Sequence, residues 1–224
     1  MDVEFQNGPA FTVAVARLAG GEKLRAESGA MISMTTGTQI ETTTQGGIIK
    51  GLKRSFSGES FFMNMFTAPP SGGEILLASS LPGDMTYVDL QGETWLFHRD
   101  GFIASEQTID LDTKWGGLKG AFGASSFFVV KCSGRGKAIV ATYGALRRVD
   151  LQAGQQYTVD SGHLVAWPES LSIEVHKVGG LKSLLLSGEG FVVTLTGPGA
   201  FYMQTRSEAA LVSWLIPLLP KSSN

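Results

Sequence analysis

The chain has 224 residues, 43% hydrophobic and 17% charged, and this apolar content excludes an intrinsically disordered protein. Its 18 lysines and arginines are outnumbered by 20 aspartates and glutamates, so it lacks the basic excess typical of nucleic-acid-binding domains. Glycine occurs 29 times, about twice its average usage, which indicates many turns in a folded chain.

The N-terminal segment, residues 1–21, lacks the basic start and long apolar run of a signal peptide and the arginine-rich composition of a transit peptide. No apolar run reaches the roughly 18 residues that a membrane-spanning helix needs. The single cysteine, Cys132, cannot form an internal disulfide, which fits a reducing compartment. We therefore expect a cytoplasmic protein without a transmembrane segment.

Strand-like patterning begins at residues 11–18, where apolar residues alternate with small or polar ones. Segments rich in β-branched and aromatic residues follow along the chain, for example KAIVATY at 137–143. Turn signals such as LPGD at 81–84 separate them. The pattern predicts an all-β fold, and because no linker divides residues 1–224, we expect a single domain.

One glycine-rich phrase occurs three times, at residues 46–66, 116–130 and 179–193. The first glycines of the copies are 70 and 63 residues apart (116 − 46 and 179 − 116). Related phrases precede and follow each copy. A repeat of this length exceeds most solenoid periods, so it predicts one small sheet-forming unit used three times.

The predicted repeats have approximate bounds of 27–98, 99–159 and 160–206. The third stops early, and residues 14–29 align with residues 147–162, which predicts that residues 11–26 complete it. The strand at 11–18 should then lie beside or complete the sheet of residues 191–206. We expect a closed pseudo-threefold arrangement, because closure leaves no unpaired sheet edge.

Each copy of the glycine-rich phrase carries a lysine shortly after its first glycine, at Lys50, Lys119 and Lys182. If the repeats surround a pseudo-threefold axis, these ammonium groups form a candidate anion site together with Lys53 and Arg54. Such a site suits a phosphate, a lipid head group or a nucleic-acid backbone. The alternative is three solvated loops that need glycine for their backbone and lysine for solubility.

The sequence has no glycine-rich nucleotide-binding motif, no HExxH and no GxSxG. Asp110 and Asp112 resemble the start of a calcium loop, but Lys114 occupies a ligand position and the closing glutamate is missing. We expect these acids on the exposed face of a strand. The histidines occupy unrelated positions in the repeat alignment, at His98, His163 and His176. The sequence therefore predicts no catalytic residue, no metal site and no cofactor.

The one helical pattern predicts a C-terminal helix over residues 207–219. Ser207 is placed to cap this helix, its apolar residues recur at helical spacing, and Pro217 should end or kink it. The apolar side fits either the protein's own sheet or a subunit interface. Contact with a membrane surface is a further alternative.

A family resemblance is carried by four stretches, 57–68, 81–84, 161–167 and above all 187–207. They resemble the "altered inheritance of mitochondria" family, which has many bacterial members. Its mitochondrial members are linked to inner-membrane organisation and biogenesis. The resemblance implies a β-sandwich or double-stranded β-helix with internal repeats. That fold is similar to the tryptophan-activated RNA-binding attenuation protein, an analogy that does not extend to function.

The resemblance spans nearly the whole chain and implies a bacterial, cytosolic member of the family. It supplies no catalytic residue that carries over to this sequence. Gln204 and Arg206 match the family's QTR phrase, which implies an anchor at the junction before the C-terminal helix.

We therefore expect a non-enzymatic binding or scaffold protein that forms a homo-oligomer. This expectation rests on the repeat, the missing catalytic motifs and the apolar C-terminal segment. The first alternative is a protein that binds an anion, a phospholipid membrane surface or nucleic acid through its glycine and lysine loops; the overall charge argues against nucleic acid. The second alternative is an enzyme that uses the histidines and the Ser/Glu phrases.

Overall fold

The computed structural model of the chain describes residues 1–44, 62–112, 129–177 and 191–220. These residues are mostly β-strand, and all of their paired strands run antiparallel. One short α-helix lies near the C-terminus. The prediction of a β fold with a C-terminal helix is thus confirmed at this level.

The first third of the chain contributes seven strands: β1 (Asp2–Gln6), β2 (Val13–Leu18), β3 (Lys23–Glu27), β4 (Met31–Met34), β5 (Gln39–Thr44), β6 (Phe62–Thr67) and β7 (Gly73–Leu77). β1, β2, β7 and β4 form one sheet in that order. β6 pairs with both β3 and β5. β3 alternates between more and less buried residues, as a strand with one face on a core does, whereas β2 has three consecutive buried residues, Ala14, Val15 and Ala16.

The middle third contributes five strands: β8 (Met85–Gln91), β9 (Trp95–His98), β10 (Phe102–Glu106), β11 (Ile109–Asp112) and β12 (Val129–Ala141). The first half of β12 pairs with β9 and β11, and its second half pairs with β8 and β10. The change of partners falls at Gly134 and Gly136, whose φ angles are +117° and +137°. Glycine is favoured there because side-chain-bearing residues rarely adopt such angles.

The last third contributes six strands: β13 (Leu146–Leu151), β14 (Gln156–Asp160), β15 (Leu164–Pro168), β16 (Ser172–Lys177), β17 (Phe191–Thr196) and β18 (Gly199–Gln204). β18 pairs with β13 and β15, while β17 pairs with β14 and β16. The helix α1 (Glu208–Leu215) follows, and a 3₁₀ turn (Ile216–Leu218) extends it.

Two ladders join these groups of strands into a larger sheet. β10 pairs with β3, and β15 pairs with β9. In the described part of the chain no ladder joins β4 to β14, and both strands lie at sheet edges. The expected ring closure is therefore not observed in the described strand pairing.

The expected pairing of residues 11–18 with residues 191–206 is wrong. β2 pairs with β1 and β7, both from the first third of the chain, and β3 pairs with β6 and β10. Residues 11–26 therefore do not pair with β17 or β18, which themselves lie in two different sheets. Their apolar residues pack with those of β6 and β7 in one core cluster, so the nearest partners along the chain prevail.

Side-chain size differs between the boundary of β4 and β14, which we call the open seam, and the two boundaries at which strands pair. Val165, at a β-bulge of β15, is 1% exposed, and a Cβ on Gly101 would lie only 2.6 Å from its Cγ1 atom. Ile32, at the corresponding bulge of β4, is 54% exposed. Gly101 is the residue just before β10, and the residue at the corresponding place, just before β15, is His163. By the same geometry Ile32 would have to pack on that larger side chain.

Three clusters of buried side chains form the core, and each centres on one third of the chain. Ile103 from β10 enters the first cluster, and Val165 from β15 enters the second. The connecting segments also lie side by side: the amide of Thr12 donates to the carbonyl of Gly83, and that of Asp84 donates to the carbonyl of Gly144, both at 3.0 Å. Neighbouring thirds thus share both core and backbone contacts.

Candidate functional site

The candidate anion-binding residues of the glycine-rich phrases lie outside the described residues: Lys50, Lys53, Arg54, Lys119 and Lys182. The strands that flank them are described. β5 pairs with β6, β11 with β12 and β16 with β17. Each lysine-bearing segment therefore connects two antiparallel, hydrogen-bonded strands, and the three segments have the same place in the chain's connectivity.

The C-terminal helix begins as the sequence predicts. The hydroxyl of Ser207 accepts a hydrogen bond from the amide of Ala210 at 3.3 Å, and Glu208 lies in the first turn, where a negative charge is favourable. α1 ends at Leu215, and Pro217 lies in the 3₁₀ turn that follows. The cap and the proline together set the limits of the helix.

The side chains of this helix are exposed to an unusual degree. Nine large apolar side chains are exposed among the described residues, and six of them lie within residues 212–219: Val212, Trp214, Leu215, Ile216, Leu218 and Leu219. No residue of the helix is buried. We call residues 212–219 the apolar segment. Its apolar side chains are not buried against the described sheets, contrary to the first of the three expected arrangements.

Among the described residues, the start of the helix is less exposed than its end. Ser207, Glu208 and Leu211 are half-buried, whereas residues 212–220 are exposed. The helix borders a cleft of about 430 Å³, which is lined by Glu27, Ser28, Gly29, Ala30, Ala78, Ser79, Ser80, Leu81, Asp100, Glu208, Leu211 and Val212. Three carboxylates from distant parts of the chain therefore line one cleft.

The protein environment changes the pKa of two groups at this end of the molecule. Burial, with the nearby charge of Asp100, raises the pKa of Glu27 to about 7, although Arg99 acts in the opposite direction. Burial lowers the pKa of His98, against the effects of Asp100 and Glu208. The Nδ1 atom of His98 lies 3.7 Å from Oδ2 of Asp100. Glu27 thus lines the cleft with a raised pKa, and His98, whose pKa is lowered, lies next to Asp100 of the same cleft.

Gln204 fixes the chain where β18 leads into the helix. It is 6% exposed, and its Oε1 accepts from the amide of Tyr143 at 2.9 Å. Its Nε2 donates to the carbonyl of Gly162 at 3.0 Å and lies 3.5 Å from Oε2 of Glu208. The Nδ1 atom of His163 lies 2.8 Å from the carbonyl oxygen of Gln204. For Gln204 these contacts match the anchor that the QTR phrase implies, whereas Arg206 is exposed and its guanidinium donates to the carbonyl of the adjacent Thr205 at 3.1 Å.

Sequence reasoning missed Glu27 and Glu208, which line the cleft, and His98, which lies beside it. Glu27 and His98 each end a strand, and Glu208 belongs to a helix more than a hundred residues further along the chain. Their only shared signal is that the two strands end in a titratable residue just before a tight turn. His176, by contrast, lies on β16 with its Nε2 atom 3.5 Å from Oε2 of Glu174.

The other candidate groups have ordinary structural positions. Asp110 and Asp112 lie exposed on β11, as expected. Cys132 is buried, and burial raises the pKa of its thiol. Within the described ranges no three His, Cys, Asp or Glu side chains are arranged to hold a metal ion. The helices in those ranges are too short or too polar to cross a membrane.

One family model matches nearly the whole chain, and one relative and one solved structure are similar over most of it. The family model described as Mitochondrial biogenesis AIM24 matches residues 3–206. An uncharacterised protein of Streptococcus pyogenes serotype M6 is 26% identical over 216 residues, which cover 92% of this chain and 86% of that protein. The crystal structure of another Streptococcus pyogenes protein superposes with a TM-score of 0.82 at 21% identity, covering 97% of this chain and 99% of that one.

Proposed function

The chain belongs to the Mitochondrial biogenesis AIM24 family, and from this premise we propose that it is a non-enzymatic scaffold protein that self-associates through its apolar segment. The family membership confirms the resemblance seen in the sequence. The proposal takes the protein to be cytoplasmic, in keeping with its single cysteine.

The observation that carries this proposal is the exposure of the apolar segment. Trp214, Ile216 and Leu218 are 65%, 62% and 63% exposed, whereas the cores of the sheets are closely packed. Contiguous apolar surface of this kind marks interaction sites in soluble proteins. Tryptophan at the centre of such a patch is typical of residues that contribute most to binding. A second copy of the chain is the simplest partner, because most soluble oligomers are homo-oligomers.

The proposal includes a scaffold of three repeats, formed by β2–β7, β8–β12 and β13–β18. Each group has six strand positions. The strands at the first and third positions pair with the sixth, and those at the second and fourth positions pair with the fifth. In the middle group the long strand β12 takes both the fifth and the sixth position. The third strand of every group has a bulge, which follows Met31, Phe102 and Leu164. This recurrence supports a pseudo-threefold arrangement with one open seam.

The test of self-association compares variants of exposed apolar residues. We expect size-exclusion chromatography with light scattering to give a mass above 23.8 kDa for the wild type at high concentration. The double substitution Trp214→Ser and Ile216→Ser should return the mass to that of one chain. Both side chains are largely exposed, so their replacement should not disturb the fold.

Phe11→Ser provides the matched control, because Phe11 is 72% exposed and lies outside the apolar segment. It should leave the measured mass unchanged. A wild type that remains a single chain at every concentration would contradict the proposal. The proposal would also be contradicted if Phe11→Ser lowered the measured mass as much as the double variant, because association would then depend on exposed apolar side chains in general and not on this segment.

A second candidate function, anion binding by the lysine segments, is favoured by their equivalent places between paired strands. Replacing Lys50, Lys119 and Lys182 together by Ala should weaken binding to vesicles that contain phosphatidylserine and should reduce its salt dependence. Arg147→Ala is the control, because Arg147 is an exposed basic residue outside these segments. Equal binding by the triple variant and the wild type would exclude this function.

A further inference from the structure

The helix α1 is held to the body of the protein by few contacts. Ser207, Glu208 and Leu211 are its half-buried residues, and the rest of the helix is exposed. Segments with few buried apolar contacts open at a small fraction of the global unfolding free energy. A modest change of charge beneath the first turn is therefore sufficient to alter whether the helix is docked.

Charged and titratable groups meet at this contact from every element that packs there. Glu27, Asp100 and Glu208 line the cleft beside Leu211. The charged neighbours of Glu27 are Asp100 and Arg99, and those of His98 are Asp100, Glu208 and Arg99. The turn before β15 adds His163, which contacts the carbonyl oxygen of Gln204.

We propose that α1 is a pH-sensitive strap, docked across the cleft at mildly acidic pH and released when Glu27 ionises at alkaline pH. The docked helix supplies Glu208, Leu211 and Val212 to the wall of the cleft that Glu27 also lines. Burial penalises the charged form of a carboxyl group, so ionised Glu27 favours the state in which this wall is withdrawn. Ionised Glu27 also adds a third negative charge to Asp100 and Glu208. His98 acts in the same direction, because a protonated imidazole attracts the Glu208 carboxylate, and this attraction disappears as the pH rises.

The pKa of Glu27, about 7, places this change in the neutral range. If release returns that pKa to its usual 4.5, the ratio of docked to released helix falls by about tenfold between pH 6 and pH 8.5. The biological meaning rests on the proposed function: the released helix presents Leu211 together with the apolar segment to a second copy.

The test measures helix docking within one chain. Nitroxide labels on Ser213→Cys and Ser71→Cys, both at exposed positions, report the distance from helix to body by double electron–electron resonance, and buried Cys132 remains unlabelled. The labelled protein is diluted into an excess of unlabelled full-length chain, so only distances within one chain contribute. A monomeric protein would therefore give the same readout, and failure of self-association is distinguishable from failure of the strap.

We expect the docked-to-released ratio of the wild type to fall about tenfold from pH 6 to pH 8.5, and Glu27→Gln to change by less than about threefold. Glu208→Gln is the second variant and should also reduce the response. Glu74→Gln, an exposed carboxylate away from the cleft, should respond like the wild type. Identical distance distributions at both pH values, or a Glu27→Gln response equal to that of the wild type, would overturn the proposal.

Discussion

Glu27 and His98 each end a strand, yet burial moves their pKa values in opposite directions. Burial penalises the charged form, which for Glu27 is the ionised carboxylate and for His98 is the protonated ring. The stability contributed by neutral Glu27 is fully present below pH 4.5 and is lost as the pH rises through about 7. The contribution of neutral His98 is present at high pH and is lost as the pH falls below its ordinary value.

The substitution Glu27→Gln removes the pH-dependent contribution of Glu27 to stability and leaves that of His98. The variant cannot ionise, so we expect its free energy of unfolding at pH 8.5 to exceed that of the wild type by about 3 kcal/mol, as a pKa change from 4.5 to about 7 implies. The difference should vanish toward pH 4, where Glu27 is neutral in both folded and unfolded chains. Urea denaturation at a series of pH values measures it. A constant difference across the series would show that the carboxyl group does not titrate near neutrality in the folded protein.

Sequence reasoning could not identify these residues, because their properties arise from contacts between distant segments. Glu27 is affected by the turn at Arg99 and Asp100, which lies more than seventy residues further along the chain. The roles of Ser207 as helix cap and of Gln204 as anchor were recognisable from the sequence, because both depend on a motif of a few consecutive residues at the start of the helix.

At the scale of elements, the strands were predictable and the ring closure was not. Alternating and β-branched patterns predicted β2, β12 and β17 because burial of one face imposes a period of two. Closure would involve strands from the first and last thirds of the chain, and no local pattern reports on such contacts; at the corresponding positions the chain has Gly101 and His163. The contrast between Gly101 and His163 leads to a prediction about the boundary between β4 and β14, where no ladder forms among the described strands.

Lysine substitutions at two corresponding bulges should differ strongly in effect. Ile32→Lys introduces a charge at a position that is 54% exposed, so we expect a change in unfolding free energy within about 0.5 kcal/mol. Val165→Lys introduces the same charge where the side chain is 1% exposed, and we expect a loss of more than about 4 kcal/mol. Thermal unfolding compares the two. Equal destabilisation would mean that Ile32 is buried and the seam is closed in solution.

At the scale of the whole molecule, the recurring strand pairings and the family match give a consistent architecture. The family model covers residues 3–206 and so ends before the helix. The apolar segment therefore follows the part of the chain that the family model matches. Composition could predict that this segment is apolar, but its exposure depends on the direction in which Gln204 and Glu208 hold the helix.

The most direct test of the account is hydrogen–deuterium exchange of residues 208–219 in dilute and in concentrated solutions of the full chain. If the apolar segment joins two copies, its amides should exchange more slowly at high concentration, while those of β15 exchange at the same slow rate in both. Equal exchange of residues 208–219 at the two concentrations, in a sample whose mass shows association, would place the interface elsewhere and contradict the account.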